Sequence, residues 1–181
     1  THNGWNDAGE AQLYETRVEQ DIEGQSLTIT DARNNPVMVN TLAAEGQRLR
    51  TYDLLGNGLY SHSSDAGERW MLNNVAGNPI RGWDSRGHTL RYTYDRLQRP
   101  VGLYMQGGDY PEEILAECTV YGEGVPEAEQ RNLRGQVYQA FDAAGVVTSE
   151  RYDFKGNLLR SDRRICQQYQ QRMDWKQAKT N

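Results

Sequence analysis

Tyr52-Asp53-Leu54-Leu55-Gly56-Asn57 decides the fold, because the same phrase returns along the chain. It recurs as Trp83-Asp84-Ser85-Arg86-Gly87-His88, Phe141-Asp142-Ala143-Ala144-Gly145-Val146 and Tyr152-Asp153-Phe154-Lys155-Gly156-Asn157. A degraded copy, Tyr94-Asp95-Arg96-Leu97-Gln98-Arg99, has Gln where Gly stood, and Asp21-Ile22-Glu23-Gly24 has lost the aromatic. Asp84 and Asp95 lie 11 residues apart, as do Asp142 and Asp153. Such a fixed short period is the signature of an internal repeat of strands joined by regular turns.

The phrase has a mechanical reading. Asp is favoured at the first position of a type I turn and Gly at the fourth. The carboxylate accepts from backbone N–H groups two residues on, and Gly takes the left-handed conformation at low energy. The aromatic before Asp suits a pleated, half-buried surface. An apolar residue follows each turn: Leu27, Leu59, Leu90, Val147 and Leu158. The unit is strand, tight turn, strand, with repeat turns carried by Tyr52, Asp53, Gly56, Trp83, Asp84, Gly87, Tyr94, Asp95, Phe141, Asp142, Gly145, Tyr152, Asp153 and Gly156.

Composition agrees with a thin, polar layer. The 181 residues hold one domain or two, with 36% hydrophobic residues and a mean hydropathy of −0.88. Typical domains are roughly 45–50% apolar with Gly counted. Tyr (11) and Gly (18) are abundant while Phe (2) is scarce. Periodic Tyr, Trp, Leu and Val argue against disorder. One such unit cannot bury its own face, so its core is completed by neighbouring repeats.

Taken in order, 1–12 reads as an irregular leader, 13–105 as a repeat segment and 106–132 as an interruption with a strand and a short helix. The repeat resumes over 133–165, and 166–181 is a polar tail. Expected strands cover 13–20, 25–31, 37–39, 49–52, 59–62, 69–72, 80–83, 89–94, 101–105, 114–121, 136–141, 146–152 and 158–163. One helical turn is expected over 43–46, a loop over 106–111, and a short helix after Pro126, where Pro suits the first turn. The tail reads as strand then helix, or as frayed. The fold class is therefore mainly all-β, with short antiparallel strands in a curved, extended sheet and one or two short helices.

Chemistry is sparse. A net charge of −5 with pI near 5.3 offers no basic stripe for nucleic acid. No apolar run approaches the length of a transmembrane helix, so no membrane insertion by this segment is expected. The repeat aspartates could be imagined as paired glycosidase acids, but backbone geometry explains each of them. His2, His62 and His88 share no metal-ligand spacing, and no cofactor is expected. Cys118 and Cys166 read as idle thiols, with a bridge between them left open. Only the interruption, with Cys118, Glu112, Glu113 and Glu123, offers a place to look for an enzyme.

The aromatic-Asp-x-x-Gly phrase resembles the tyrosine–aspartate (YD, or RHS) repeat. Tyr52 to Asn57, Asp65-Ala66-Gly67, Asn78-Pro79 and the block Ala128-Glu129 through Asn132-Leu133-Arg134-Gly135-Gln136 into Phe141 to Val146 resemble, more closely, the shell region of bacterial insecticidal toxin complexes. The resemblance covers roughly residues 13–170. It implies a structural, non-enzymatic segment of a β-sheet cocoon in a secreted bacterial protein. Its implied partners are the remaining repeats of a larger chain, an enclosed toxin polypeptide and a translocation-pore component. The family's Asp-Pro-x-Gly self-cleavage signature does not occur here, so no catalytic residue is carried over. The chain is expected to be an internal piece of a larger polypeptide. The competing reading is a cell-surface adhesion or glycan-binding module, which a glycan array separates from a shell segment.

Overall fold

The structure is a computed structural model that describes residues 2–44, 46–167 and 173–178, apart from the side chains of His2, Asn3, Gln177 and Ala178. It divides into two compact units, Thr1–Gly87 and His88–Asn181. Both are built almost entirely from antiparallel strands, the mainly-β class that the turn phrase implies.

In the first unit β1 (His2–Trp5) and β2 (Ala11–Tyr14) form a two-stranded sheet. There follow β3 (Arg17–Gln20), β4 (Ser26–Thr30), β5 (Pro36–Val39), β6 (Thr41–Ala44), β7 (Gln47–Arg50), β8 (Tyr60–Ser63), β9 (Gly67–Asn73) and β10 (Pro79–Asp84). The sheet order is β10-β9-β8-β5-β4-β3, with the β6–β7 hairpin inserted between β5 and β8. Arg48 of that hairpin reaches Glu19 at 2.6 Å and the Thr28 hydroxyl at 2.7 Å, which holds it against β3 and β4.

The second unit is an uninterrupted meander. It comprises β11 (Thr89–Tyr94), β12 (Pro100–Gly107), β13 (Tyr110–Tyr121), β14 (Val137–Asp142), β15 (Gly145–Tyr152) and β16 (Leu158–Ile165), each paired with the next. A 3-10 turn spans Gly122–Gly124, and the one-turn helix α1 spans Trp175–Ala178. Burial is thin. One cluster joins Leu115, Cys118 and Trp175; another joins Ala128, Tyr152 and Leu133, whose side chain is 0% exposed. Every residue of β16 is exposed.

Several expectations are corrected. The leader 1–12 is not irregular, because Asn6 nucleates a turn. Its Oδ1 accepts from Ala8 N at 3.1 Å and Glu10 N at 2.9 Å, and Gly9 has φ +75°. The strand expected over 13–20 breaks at Glu15-Thr16 into β2 and β3. The helical turn expected over 43–46 is a hairpin bend, with Leu42 paired to Leu49 and Gly46 at φ +76°; Glu45 lies outside the described residues.

The loop expected over 106–111 is a two-residue hairpin. Gly107 pairs with Tyr110, and Gly108 takes φ +57°, as a turn with Gly at its first central position requires. The helix expected after Pro126 does not form, because Glu127 (φ +57°) and Asn132 (φ +52°) adopt left-handed conformations. Tertiary bonds outweigh helix propensity there: Tyr152 N donates to Arg131 O at 3.0 Å and Asn132 Nδ2 to Tyr152 O at 2.9 Å. Of the tail, 168–172 and 179–181 lie outside the described residues, while Trp175 is buried at 7% exposure.

Candidate functional site

The repeat turns are the recurring device, and those at Asp53, Asp84, Asp95 and Asp153 share one geometry. At Asp53, Oδ1 accepts from Leu55 N at 2.9 Å and from Asn57 N at 2.8 Å, while Oδ2 takes the Asn57 side-chain amide at 2.9 Å. Gly56 N donates to Asp53 O at 3.1 Å, and Gly56 sits at φ +81°. This is a type I turn closed by a left-handed residue, a three-residue hairpin loop. Asp153 repeats it with Lys155 N and Asn157 N, each at 2.8 Å, and Gly156 at φ +84°. Asp84 accepts from Arg86 N at 3.0 Å, with Gly87 at φ +83°.

In the degraded copy, Asp95 accepts from Leu97 N at 2.8 Å and Arg99 N at 2.9 Å. Gln98 still adopts φ +61° there, so the turn forms without its glycine. Asp142 differs. Asp142 pairs directly with Gly145 across a two-residue loop, and Gly145 has φ +143°. A Cβ on Gly145 would meet the Arg164 carbonyl oxygen at 2.1 Å, so glycine is required here by close strand approach.

Of the aromatics before Asp, Tyr52 and Tyr152 pin neighbouring strands: Tyr52 donates to Ser26 O at 2.6 Å and Tyr152 to Val137 O at 2.8 Å. Trp83 lies in β10 opposite Trp70, and Phe141 in β14 opposite Val146. Tyr94 closes β11 opposite Pro100. Two turns escaped the aspartate pattern. Asn74 Oδ1 accepts from Ala76 N at 2.9 Å and Asn78 N at 3.0 Å, as Asn6 does near the N-terminus. The signal that could have found both is Asn in place of Asp with Gly three residues on, at Gly9 and Gly77.

The electrostatics make these carboxylates structural acceptors. The Asn57 side-chain amide, followed by backbone N–H groups of Asn57 and Leu55, holds Asp53 below the usual aspartate range. Asn157 does the same for Asp153. Burial pushes Asp95 upward, but hydrogen bonds from Arg99 and Leu97 outweigh it and the net direction is down. A carboxyl held ionised and saturated by its own loop is poorly suited to act as a general acid.

Two acids of the interruption, Glu113 and Glu123, are equally committed. Glu113 meets Arg91 in a two-point pair at 2.8 and 2.7 Å, which is the main cause of its lowered pKa. Glu123 meets Arg99 at 2.6 Å, and Arg99 stacks on Tyr121 at 3.8 Å. Glu112 is exposed, while Cys118 is a buried free thiol and Cys166 a half-buried one. Among the described residues no group of three His, Cys, Asp or Glu could hold a metal ion. A depression of about 330 Å³ lies among Asn132, Gln136, Asp153 and Phe154.

The turn tips are sorted by end. In the first unit the antiparallel order puts the turns at Asp21, Asp53 and Asn74 at one end of the sheet. Their tips Ile22, Leu54 and Val75 are 98% to 106% exposed. The turns at the other end carry Arg33, Asp65 and Arg86. Within the second unit the turns at Asp95 and Asp153 share an end and expose Leu97 (69%) and Phe154 (86%). Its opposite end carries Gly108-Asp109 and Ala143-Ala144.

No family model matches the chain. It is 28% identical over 128 residues to the toxin subunit YenC2 of Yersinia entomophaga, covering 62% of this chain and 13% of that protein. Among solved structures it is similar to TcdB2-TccC3, with a TM-score of 0.75 and 22% identity over 96% of this chain and 8% of that one. The Photorhabdus luminescens Tc holotoxin pore gives a TM-score of 0.74 at 22% identity, again over 96% of this chain and 8% of that one. The chain thus spans a small part of each relative. The likeness read from the repeat turns is borne out: this chain is similar, in sequence to a Tc toxin subunit and in fold to a segment of Tc toxin structures.

Proposed function

We propose that this chain is a wall segment of a YD-repeat shell that encloses a toxin polypeptide within a secreted toxin complex, and that it contributes strands and turns rather than chemistry. The observation that carries this reading is the alignment of 96% of the chain with a segment making up 8% of a TcdB2-TccC3 chain. The thin burial supports it. A wall wetted on both faces needs little apolar content, and asparagine- or aspartate-closed turns hold such strands in register without a deep core. The exposed tips Ile22, Leu54 and Val75 are suited to burial against further repeats of the same polypeptide. Those repeats, the enclosed polypeptide and a translocation-pore component are the partners this reading gives it.

The test is an immunoblot of the native source with an antibody to this segment. A band several times larger than 20.7 kDa supports a shell segment of a longer chain. A single band at 20.7 kDa overturns it.

A further inference from the structure

The segment Met173-Asp174-Trp175-Lys176 lies against β13 and β14, and three consecutive side chains each meet a different kind of partner. Asp174 Oδ1 accepts the backbone N–H of Leu115 at 2.9 Å and that of Lys176 at 3.0 Å. Leu115 sits beside the bulge where the β12–β13 register shifts between Leu103 and Tyr104. Trp175 Nε1 donates to the Asp142 carbonyl at 3.2 Å, and its ring meets Phe141 edge-on at 4.9 Å between centroids. Lys176 Nζ donates to the Glu113 carbonyl at 2.5 Å, lies 3.6 Å from the Glu113 carboxylate and stands 5.3 Å from the Tyr104 ring centre.

A one-turn helix has no stability of its own in water. These contacts, with Leu115 and Cys118 as the floor beneath the indole, hold it in place. The chemistry is complementary at each point: an N–H donor for a carboxylate, an apolar floor with a carbonyl for an indole, and a carboxylate with an aromatic face for an ammonium. Tryptophan is enriched among the few buried anchor residues that carry most of the energy of protein interfaces.

We propose that this face of β13 and β14 is a docking site for short peptides of the pattern acidic–Trp–basic, and that Asp174-Trp175-Lys176 is its tethered occupant. Tethering gives the segment an effective concentration in the millimolar range, which keeps the site filled. A free peptide enters only when the tethered tryptophan is removed.

The test uses the full chain carrying Trp175→Ala and a fluorescein-labelled peptide of residues Met173–Ala178. The account expects saturable binding by anisotropy to the variant, at least about tenfold weaker binding to the wild-type chain, and none by a peptide with alanine for tryptophan. Amide exchange at Leu115 should quicken in the variant and slow again when peptide is added. Equal binding to both chains, or none to a variant whose far-UV spectrum matches wild type, overturns the proposal. If Trp175→Ala does not fold, the double variant Asp174→Ala/Lys176→Ala keeps the indole in place. Saturable binding of the labelled peptide to that variant, tighter than to the wild-type chain, supports the site, and equal binding to the two overturns it.

Discussion

Replacing Gly145 by Ala separates the two reasons for which this chain uses glycine at its turns. Gly87 is the control. It has φ +83°, and a Cβ there would meet no heavy atom within 4 Å. Gly87→Ala therefore bears only the left-handed conformation, about 1–2 kcal/mol. For a chain of this size 1 kcal/mol lowers Tm by roughly 2–4 °C. Gly145, at φ +143°, would also drive its Cβ to 2.1 Å from the Arg164 carbonyl oxygen and 3.0 Å from Cys166 N. Both are backbone atoms and cannot rotate aside. Backbone strain of about 1–3 kcal/mol adds to overpacking of about 1–3 kcal/mol, so Tm should fall by roughly 4–24 °C, against roughly 2–8 °C for Gly87→Ala. Thermal unfolding by far-UV circular dichroism measures both variants, and amide exchange over β16 should rise in Gly145→Ala alone. Equal melting of the two variants would refute the close-approach argument.

Further outcomes follow from the same geometry. Gln98→Gly should raise Tm, because it relieves a left-handed glutamine by about 1 kcal/mol; a fall would contradict the turn assignment at Asp95. Leu133→Ala, which empties a fully buried position, should destabilise by about 2–5 kcal/mol in chemical denaturation. Asp31, Asp53 and Asp153 have lowered folded pKa values, caused first by Asn35 N–H, the Asn57 amide and the Asn157 amide respectively. Their stabilisation is present above the unfolded aspartate pKa, near 4, and is lost as pH falls through the lower folded values. Asp53→Asn, which mimics Asn6 and Asn74, should fold and show a shallower loss of stability below about pH 4; an unchanged slope counts against the linkage. Serine at Ile22, Leu54 and Val75 together should leave Tm nearly unchanged and reduce self-association in sedimentation, since these tips touch little within the unit.

The turns were legible because their chemistry is local. Asp53 binds its own loop, so the sequence phrase carries the whole cause, and β11 (Thr89–Tyr94) has the bounds its alternation implies. The elements that misled are those set by distant partners. The helix expected after Pro126 lost to bonds from Asn132 and Arg131 to β15, which no window of local propensity contains. The bend at Gly46 became a hairpin because Arg48 and Arg50 reach acids on β3 and its turn. The hairpin at Asn6 was visible in principle, since asparagine caps a turn as aspartate does. Trp175, in a tail of Gln, Lys and Arg, gave no sign that a sheet face awaited it. The sorting of apolar tips to one end of each unit emerges only once the antiparallel order is known.

The most direct test of the shell account is cryo-electron microscopy of the native polypeptide that carries this segment. The account predicts strands β3 to β16 in the wall of a hollow particle, with Ile22, Leu54 and Val75 covered by other repeats and a further polypeptide inside. A solid domain with this sheet on its outer surface, and those tips bare, would contradict it.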